Sequence, residues 1–187
     1  LQRIKRSQQH LLGIINDILN FSRVEAGQIT YDYSTVPMSA VIEAVGHMIE
    51  PQAAVKGIEL IVNECPEEVA AWADKAKVEQ ILINLLSNAV KFTERGKVTL
   101  ECDWHDSHRV AITVTDTGVG IPPDQLERIF EPFVQVGRSL SQAQEGTGLG
   151  LAISRDLARG MGGDIVVTSE PEKGSRFTLI LPRTASA

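Results

Sequence analysis

No run of 18 apolar residues occurs in the 187-residue sequence, so no segment has the makeup of a membrane-spanning helix. Cysteine is scarce. Cys65 and Cys102 are the only two and lack metal-ligand spacing, so reduced thiols in a cytosol are the expectation. The four histidines, His10, His47, His105 and His108, form no metal-binding pattern. Positive charge is in deficit, 18 Lys and Arg against 24 Asp and Glu. The net charge of −6 lacks the basic footprint of a non-specific nucleic-acid binder. No G-x-x-x-x-G-K-[ST] loop is present, which removes the P-loop nucleotide site, and no H-R-D or D-F-G set, which removes the Ser/Thr/Tyr protein kinases. What remains, 43% hydrophobic and 22% charged, is the composition of a soluble globular protein. Its length suits one well-buried domain and a short appendage.

What is present centres on Gln80-Ile-Leu-Ile-Asn84-Leu-Leu-Ser-Asn88-Ala-Val-Lys91-Phe-Thr. On a helix, Gln80, Asn84, Asn88 and Lys91 fall within an arc of about 80°. Leu82, Ile83, Leu85, Leu86, Ala89 and Val90 cover most of the remaining circumference, so the helix is buried and its polar stripe shielded. Carboxamides and an ammonium in such a place need partners, and the stripe holds no acid. An external anion with a metal ion fits: amide oxygen toward the cation, Lys91 toward phosphate. The competing reading is a polar seam packed on another helix.

Two glycine-rich segments favour the anion. Asp116-Thr-Gly118-Val-Gly120-Ile121 follows the alternating run Val110-Ala-Ile112-Thr-Val114-Thr, a half-buried strand entering a tight turn. Asp116 at the strand end can accept a hydrogen bond from an exocyclic amine, and Gly118 and Gly120 let backbone pass close to a flat ring. Gly146-Thr147-Gly148-Leu149-Gly150-Leu151 opens a helix-like run, where free N–H groups and the helix dipole attract an anion. A dinucleotide fingerprint is excluded for this cluster, because a polar Gln/Ser-rich loop precedes it where a strand is required.

With Phe130-Glu-Pro-Phe133, these segments resemble the N, G1, F and G2 boxes of the ATP-binding domain of sensor histidine kinases. That domain belongs to the superfamily shared with gyrase, Hsp90 and MutL. The resemblance covers the whole chain and implies an α+β fold, a two-layer sandwich of helices on a mixed sheet, preceded by one long helix. It implies ATP and Mg²⁺ as cofactors, with Asp116 on the adenine amine, Gly118, Gly120 and Ile121 near the ring, and Thr178 assisting through water. Asn88 would give its oxygen to Mg²⁺ and Lys91 would meet the phosphates. The N–H groups of Gly146 through Gly150 would cradle them, with Leu151 entering the helix and Phe130 at the site's edge. Asn84 stands where hydrolytic branches carry a Glu that activates water. An amide cannot act as general base there, which favours transfer over hydrolysis.

The resemblance also implies partners: a response-regulator receiver domain, a second copy joined through hairpin helices, and no nucleic acid. It implies a cytoplasmic domain of a soluble or membrane-anchored parent. Residues 1–27 would be the second helix of the dimerisation hairpin, and 28–187 the catalytic domain. The family's acceptor histidine lies on the first hairpin helix. His10 lacks the acidic neighbour and proline of that motif, so this chain is expected to bind nucleotide without completing autophosphorylation. Many relatives carry an arginine after the F box; here Phe133-Val-Gln135 follows, leaving Arg138 as the candidate cation.

From pattern alone, residues 1–27 read as a helix stopped at Gly27, 29–33 as a strand, and 38–56 as a helix bent or broken near Pro51. Strand 58–63 follows Gly57. Asp74 is the expected N-cap of the Asn-bearing helix. Strands at 97–104 and 109–115 and a short helix at 123–130 come next. The aperiodic 134–146 reads as a ligand lid, followed by a helix at 148–160 and strands at 163–169 and 174–181.

Overall fold

Two eight-residue runs of alternating burial, Lys97–Trp104 (β4) and Arg109–Asp116 (β5), form the antiparallel pair at the centre of the fold. The computed structural model describes residues 26–135 and 147–183, with Gln8, Leu11, Leu12, Ile15, Ile18, Leu19 and Ser22 of the opening segment. A sheet of order β2-β4-β5-β7-β6 contains Glu59–Val62 (β2), Asp164–Glu170 (β6) and Gly174–Pro182 (β7). Only β2 and β4 run parallel; the other neighbours are antiparallel. Three helices cover one face: Met38–Lys56 (α1), Lys75–Phe92 (α2) and Gly150–Gly160 (α3). Leu100, Ile112, Val114, Leu179 and Ile165 of the sheet share one core with Val45, Ile49, Ile81, Leu85 and Leu157 of the helices. The fold is therefore α+β, a helical layer on a mixed sheet.

Several local expectations are corrected. The strand expected at 29–33 lies at Ser34–Pro37 (β1), paired antiparallel with Ala70–Ala73 (β3), an element without a sequence signal. The aromatics of 31–33 pack instead: Tyr33 stacks on Trp72 with centroids 6.1 Å apart, and its hydroxyl donates to the Gly160 carbonyl at 2.7 Å. Helix α1 runs unbroken through Pro51, with Ile49 and Ala53 both buried on either side. Residues 123–130 form two 3₁₀ turns, Pro123–Gln125 and Arg128–Phe130, rather than one helix. The cysteines expected as free thiols are joined: Cys65, after β2, is disulfide-bonded to Cys102 of β4, with Cα atoms 5.2 Å apart. Among the described residues no helix is long and apolar enough to cross a membrane, and no group of acidic, His and Cys side chains could hold a metal.

Asp74 caps α2 through Oδ1, which accepts the Lys77 N–H at 3.2 Å, while Oδ2 accepts the Asp32 N–H at 3.0 Å. One carboxylate thus ties the incoming chain to the start of the Asn-bearing helix. Asp74→Ala is expected to cost about 1–2 kcal/mol, read as a lower urea midpoint with unchanged m-value.

Candidate functional site

Helix α2 forms one wall of the candidate site. Its buried residues Val78, Ile81, Leu82, Leu85, Leu86, Ala89 and Val90 face the core and leave Asn84, Asn88 and Lys91 half-buried along its edge. Asn84 is turned toward α3, its Nδ2 donating to Ser154 Oγ at 2.9 Å. Asn88 Nδ2 makes a long contact of 3.5 Å to Asn84 Oδ1, leaving its own Oδ1 with no hydrogen bond among the described residues. The Lys91 ammonium sits 4.9 Å from the centroid of the Phe92 ring.

The glycine turn before α3 meets this stripe. A Cβ at Gly150 would approach Asn84 Oδ1 to 2.5 Å, so the absence of a side chain lets α3 start against α2. Gly148 takes φ +73, and a Cβ there would press to 2.8 Å on the backbone of Phe133, whose N–H donates to the Gly148 carbonyl at 3.0 Å. Leu149 is fully buried and its N–H reaches Thr147 Oγ1 at 3.3 Å. Helix α3 has no side-chain cap at its N-terminus. Its first-turn N–H groups therefore suit an anion. Gly146, Arg138, His10 and residues 136–146 of the expected lid lie outside the described residues.

At the other end of the stripe, the turn after β5 meets the C-terminus of α2. The Val119 N–H donates to the Phe92 carbonyl at 3.3 Å, and a Cβ on Gly118 would strike that carbonyl. Asp116 is 5% exposed; burial pushes its carboxyl above the usual carboxylate range, while backbone N–H groups of Gly118, at 2.8 Å, and Ser175 pull it back. Gly120, at φ +68, packs against the Glu170 carbonyl. The Ile121 N–H donates to Ser169 Oγ at 2.8 Å, and that hydroxyl donates to the Gly174 carbonyl at 2.8 Å. Along α2, the eight helical steps from Asn84 to Phe92 span about 12 Å. One helix thus joins a buried carboxylate to an uncapped helix start, a separation suited to the base and phosphates of one nucleotide.

Two expected site residues have packing partners of their own. Thr178 pairs with Thr113, their hydroxyls 3.1 Å apart. Side chains alternate between sheet faces, so Thr178 lies on the face opposite Asp116. Ser175, buried and donating its N–H to Asp116, takes the adjacent position. The signal for it was its place directly after Gly174 at the start of the last strand. Phe130 lies under the Arg155 guanidinium, 4.4 Å from ring centroid to Cζ. Arg155 binds Asp164 at 3.0 Å and Glu127 at 3.5 Å. Burial raises the Asp164 carboxyl, but donors led by Arg155 outweigh it and leave it below the usual range. Phe130 thus belongs to a packed seam between the turns and α3.

Residues 73–185 match the family model described as histidine kinase-, DNA gyrase B-, and HSP90-like ATPase. The chain belongs to this family. Among its relatives, the signal transduction histidine-protein kinase BarA of Escherichia coli (strain K12) is 36% identical over 184 residues. The match covers 95% of this chain and 20% of BarA. The sensor histidine kinase GacS of Pseudomonas protegens is 38% identical over 193 residues, covering 98% of this chain and 21% of GacS. The chain thus spans about a fifth of these curated relatives. Full-length ShkA, solved in complex with AMPPNP, superposes with a TM-score of 0.85 at 37% identity, covering all of this chain and 39% of that one. The catalytic domain of histidine kinase ThkA superposes with a TM-score of 0.71 at 28% identity, covering 82% of this chain and 99% of that domain. The chain is an ATP-binding catalytic domain of the two-component sensor histidine kinase type.

Proposed function

We propose that this histidine kinase domain positions Mg-ATP so that its γ-phosphoryl group passes to a histidine on an acceptor helix outside the chain, and from there to a response-regulator aspartate. The observation that carries the proposal is the seating of Asn84. Its amide is held by Ser154 beside the uncapped start of α3, where a general base would be needed for hydrolysis. An amide at Asn84 cannot act as a base to activate water, which suits transfer of phosphate to another protein group.

In this reading Asp116 accepts the adenine amine, and Gly118, Gly120 and Ile121 bring backbone against the ring. Ser175, rather than Thr178, orders a water beside the carboxylate. Asn88 has an available side-chain oxygen. That fits Mg²⁺, which prefers oxygen donors and keeps several waters, and the metal when bound neutralises phosphate charge. Lys91 and the N–H groups of the Gly148–Gly150 turn hold the phosphates. Residues 1–27 act as a hairpin helix that pairs with a second copy, and 28–187 as the catalytic domain. Leu11, Leu12, Ile15, Ile18 and Leu19 support the pairing, because each stands 45–60% exposed and their spacing lines one helical stripe.

The test incubates the chain with radiolabelled Mg-ATP, with and without the acceptor helix of its parent protein supplied separately. The expected result is nucleotide binding, no acid-labile phosphate on the chain alone, and labelled histidine when the acceptor is added. Repeated release of inorganic phosphate without acceptor would show an ATPase, and binding that never labels the acceptor would show a nucleotide-gated binding module. Either would overturn the proposal.

A further inference from the structure

We propose that Cys65 and Cys102 form a reversible thiol–disulfide exchange site, with Cys65 the entry sulfur for a small disulfide such as oxidised glutathione and Cys102 the resolving thiol. This inference is independent of the nucleotide chemistry. The sheet register brings the two together. Parallel pairing of β2 with β4 ends at Val62 opposite Leu100 and continues through Asn63, whose N–H donates to the Leu100 carbonyl at 3.0 Å and whose Nδ2 reaches Glu101 at 3.1 Å. Two residues further on, Cys65 lies beside Cys102 with Cα atoms 5.2 Å apart, inside the spacing of about 4.4–6.8 Å that a disulfide requires.

The two sulfurs differ in access. Cys102 is 7% exposed within β4, opposite Ile112 of β5, whereas Cys65 sits half-buried in the coil between β2 and β3. An incoming reagent therefore meets Cys65 first. The Cys65 thiolate attacks one sulfur of oxidised glutathione, the S–S bond breaks, and one reduced glutathione leaves. The Cys102 thiolate then attacks the Cys65 sulfur and expels the second. The protein loses two hydrogens and one glutathione disulfide becomes two glutathiones, so electrons and protons balance. Reduced glutathione attacking Cys65 reverses the sequence. The flanking carboxylates Glu64, Glu67 and Glu68 are exposed, so cationic cystamine should react faster than anionic glutathione disulfide at low salt.

The bond closes a segment with a sequence separation of 37, which contains β3, all of α2 and most of β4. It restricts the unfolded chain around the helix carrying Asn84, Asn88 and Lys91. It is also remote from the base end of the site: Cys102 pairs with Ile112, while Asp116 pairs with Val98, about 13 Å along the strand. Oxidation should therefore raise the melting temperature by several degrees and leave Mg-ADP affinity within about twofold.

The experiment treats the fully reduced chain with oxidised glutathione and follows intact mass. The wild-type chain should lose two hydrogens and retain no glutathione. Cys102→Ser should retain one glutathionyl group on Cys65, and Cys65→Ser should take up label at least about tenfold more slowly. A wild-type chain that keeps both thiols, or that accumulates a lasting mixed disulfide, would overturn the proposal without reference to either variant. Equal labelling of the two folded variants would overturn the assignment of entry and resolving sulfurs. Coincident melts of oxidised and reduced chain would overturn the stabilising effect.

Discussion

Asp116→Asn is expected to weaken Mg-ADP and Mg-ATP binding at least tenfold, roughly 1.4 kcal/mol, while raising the melting temperature of the nucleotide-free chain at neutral pH. The two effects have one source. Asp116 is 5% exposed, and burial, only partly countered by two backbone donors, raises its pKa above the ordinary carboxylate value. The folded chain thus binds the proton more tightly than the unfolded chain. As pH rises from the unfolded to the folded pKa, the unfolded state sheds its proton first, and stability falls through that window. Above it the full penalty is in place. An asparagine removes the charge, and its Oδ1 can still accept the Gly118 N–H that Asp116 Oδ1 holds at 2.8 Å. The difference in melting temperature between variant and parent should therefore grow from acid to neutral pH and vanish below the unfolded carboxylate range. For a bound adenine, the substitution replaces one of two acceptor oxygens with a donor facing the exocyclic amine. Calorimetric titration of both proteins checks the binding. Equal affinity would remove Asp116 from the adenine assignment and leave the stability prediction standing on burial alone.

Gly120→Ala should be a strongly damaging methyl addition at the site. Gly120 takes φ +68, a region that costs an L-residue about 1–2 kcal/mol. The new Cβ would also strike the carbonyl of Glu170, which is backbone and cannot swing aside. Together these place the loss at about 2–5 kcal/mol, a drop on the order of 4–20 °C for a chain of this size. Nucleotide binding should fail with it, because the same turn holds Gly118 against the end of α2 and Ile121 on Ser169. Gly57→Ala is the control. Gly57 has φ +71 and nothing within 4 Å of a new Cβ, so only the conformational cost applies. Equal melting temperatures for the two variants would show that the packing of Gly120 on Glu170 contributes nothing.

Much of this site was legible in the chain because its determinants are local. A polar stripe at helical spacing, a carboxylate closing an alternating run and glycines at a helix entry each depend on residues close in sequence. Asp74 as a cap belongs to the same class, since the Lys77 N–H it accepts is three residues away. Failures occurred where length or composition hid the pattern. Ala70–Ala73 forms a strand, yet three of its four residues are alanine and carry little alternation. Residues 123–130 contain too few turns to separate an α-helix from consecutive 3₁₀ turns. The aromatics at 31 and 33 resembled a strand by propensity, but tertiary partners hold them: Trp72 beneath the Tyr33 ring and Gly160 accepting its hydroxyl.

The chain by itself laid out the parts of the candidate site: amides along one buried helix, an amide at Asn84, one carboxylate at a strand end and glycines at a helix entry. Those properties reside in residue types and in spacings of a few positions, so they are independent of how distant strands pair. Only the tertiary structure decided what depends on register between distant strands. It set Ser175, not Thr178, beside Asp116, because pairing of β7 with β5 assigns each side chain to a face. It brought Cys65 to Cys102, because parallel pairing of Val62 with Leu100 carries the chain beyond β2 alongside β4. A shift of one residue in either pairing would exchange the faces and undo the contact that pairing makes, and the register is set by strands far apart in the chain.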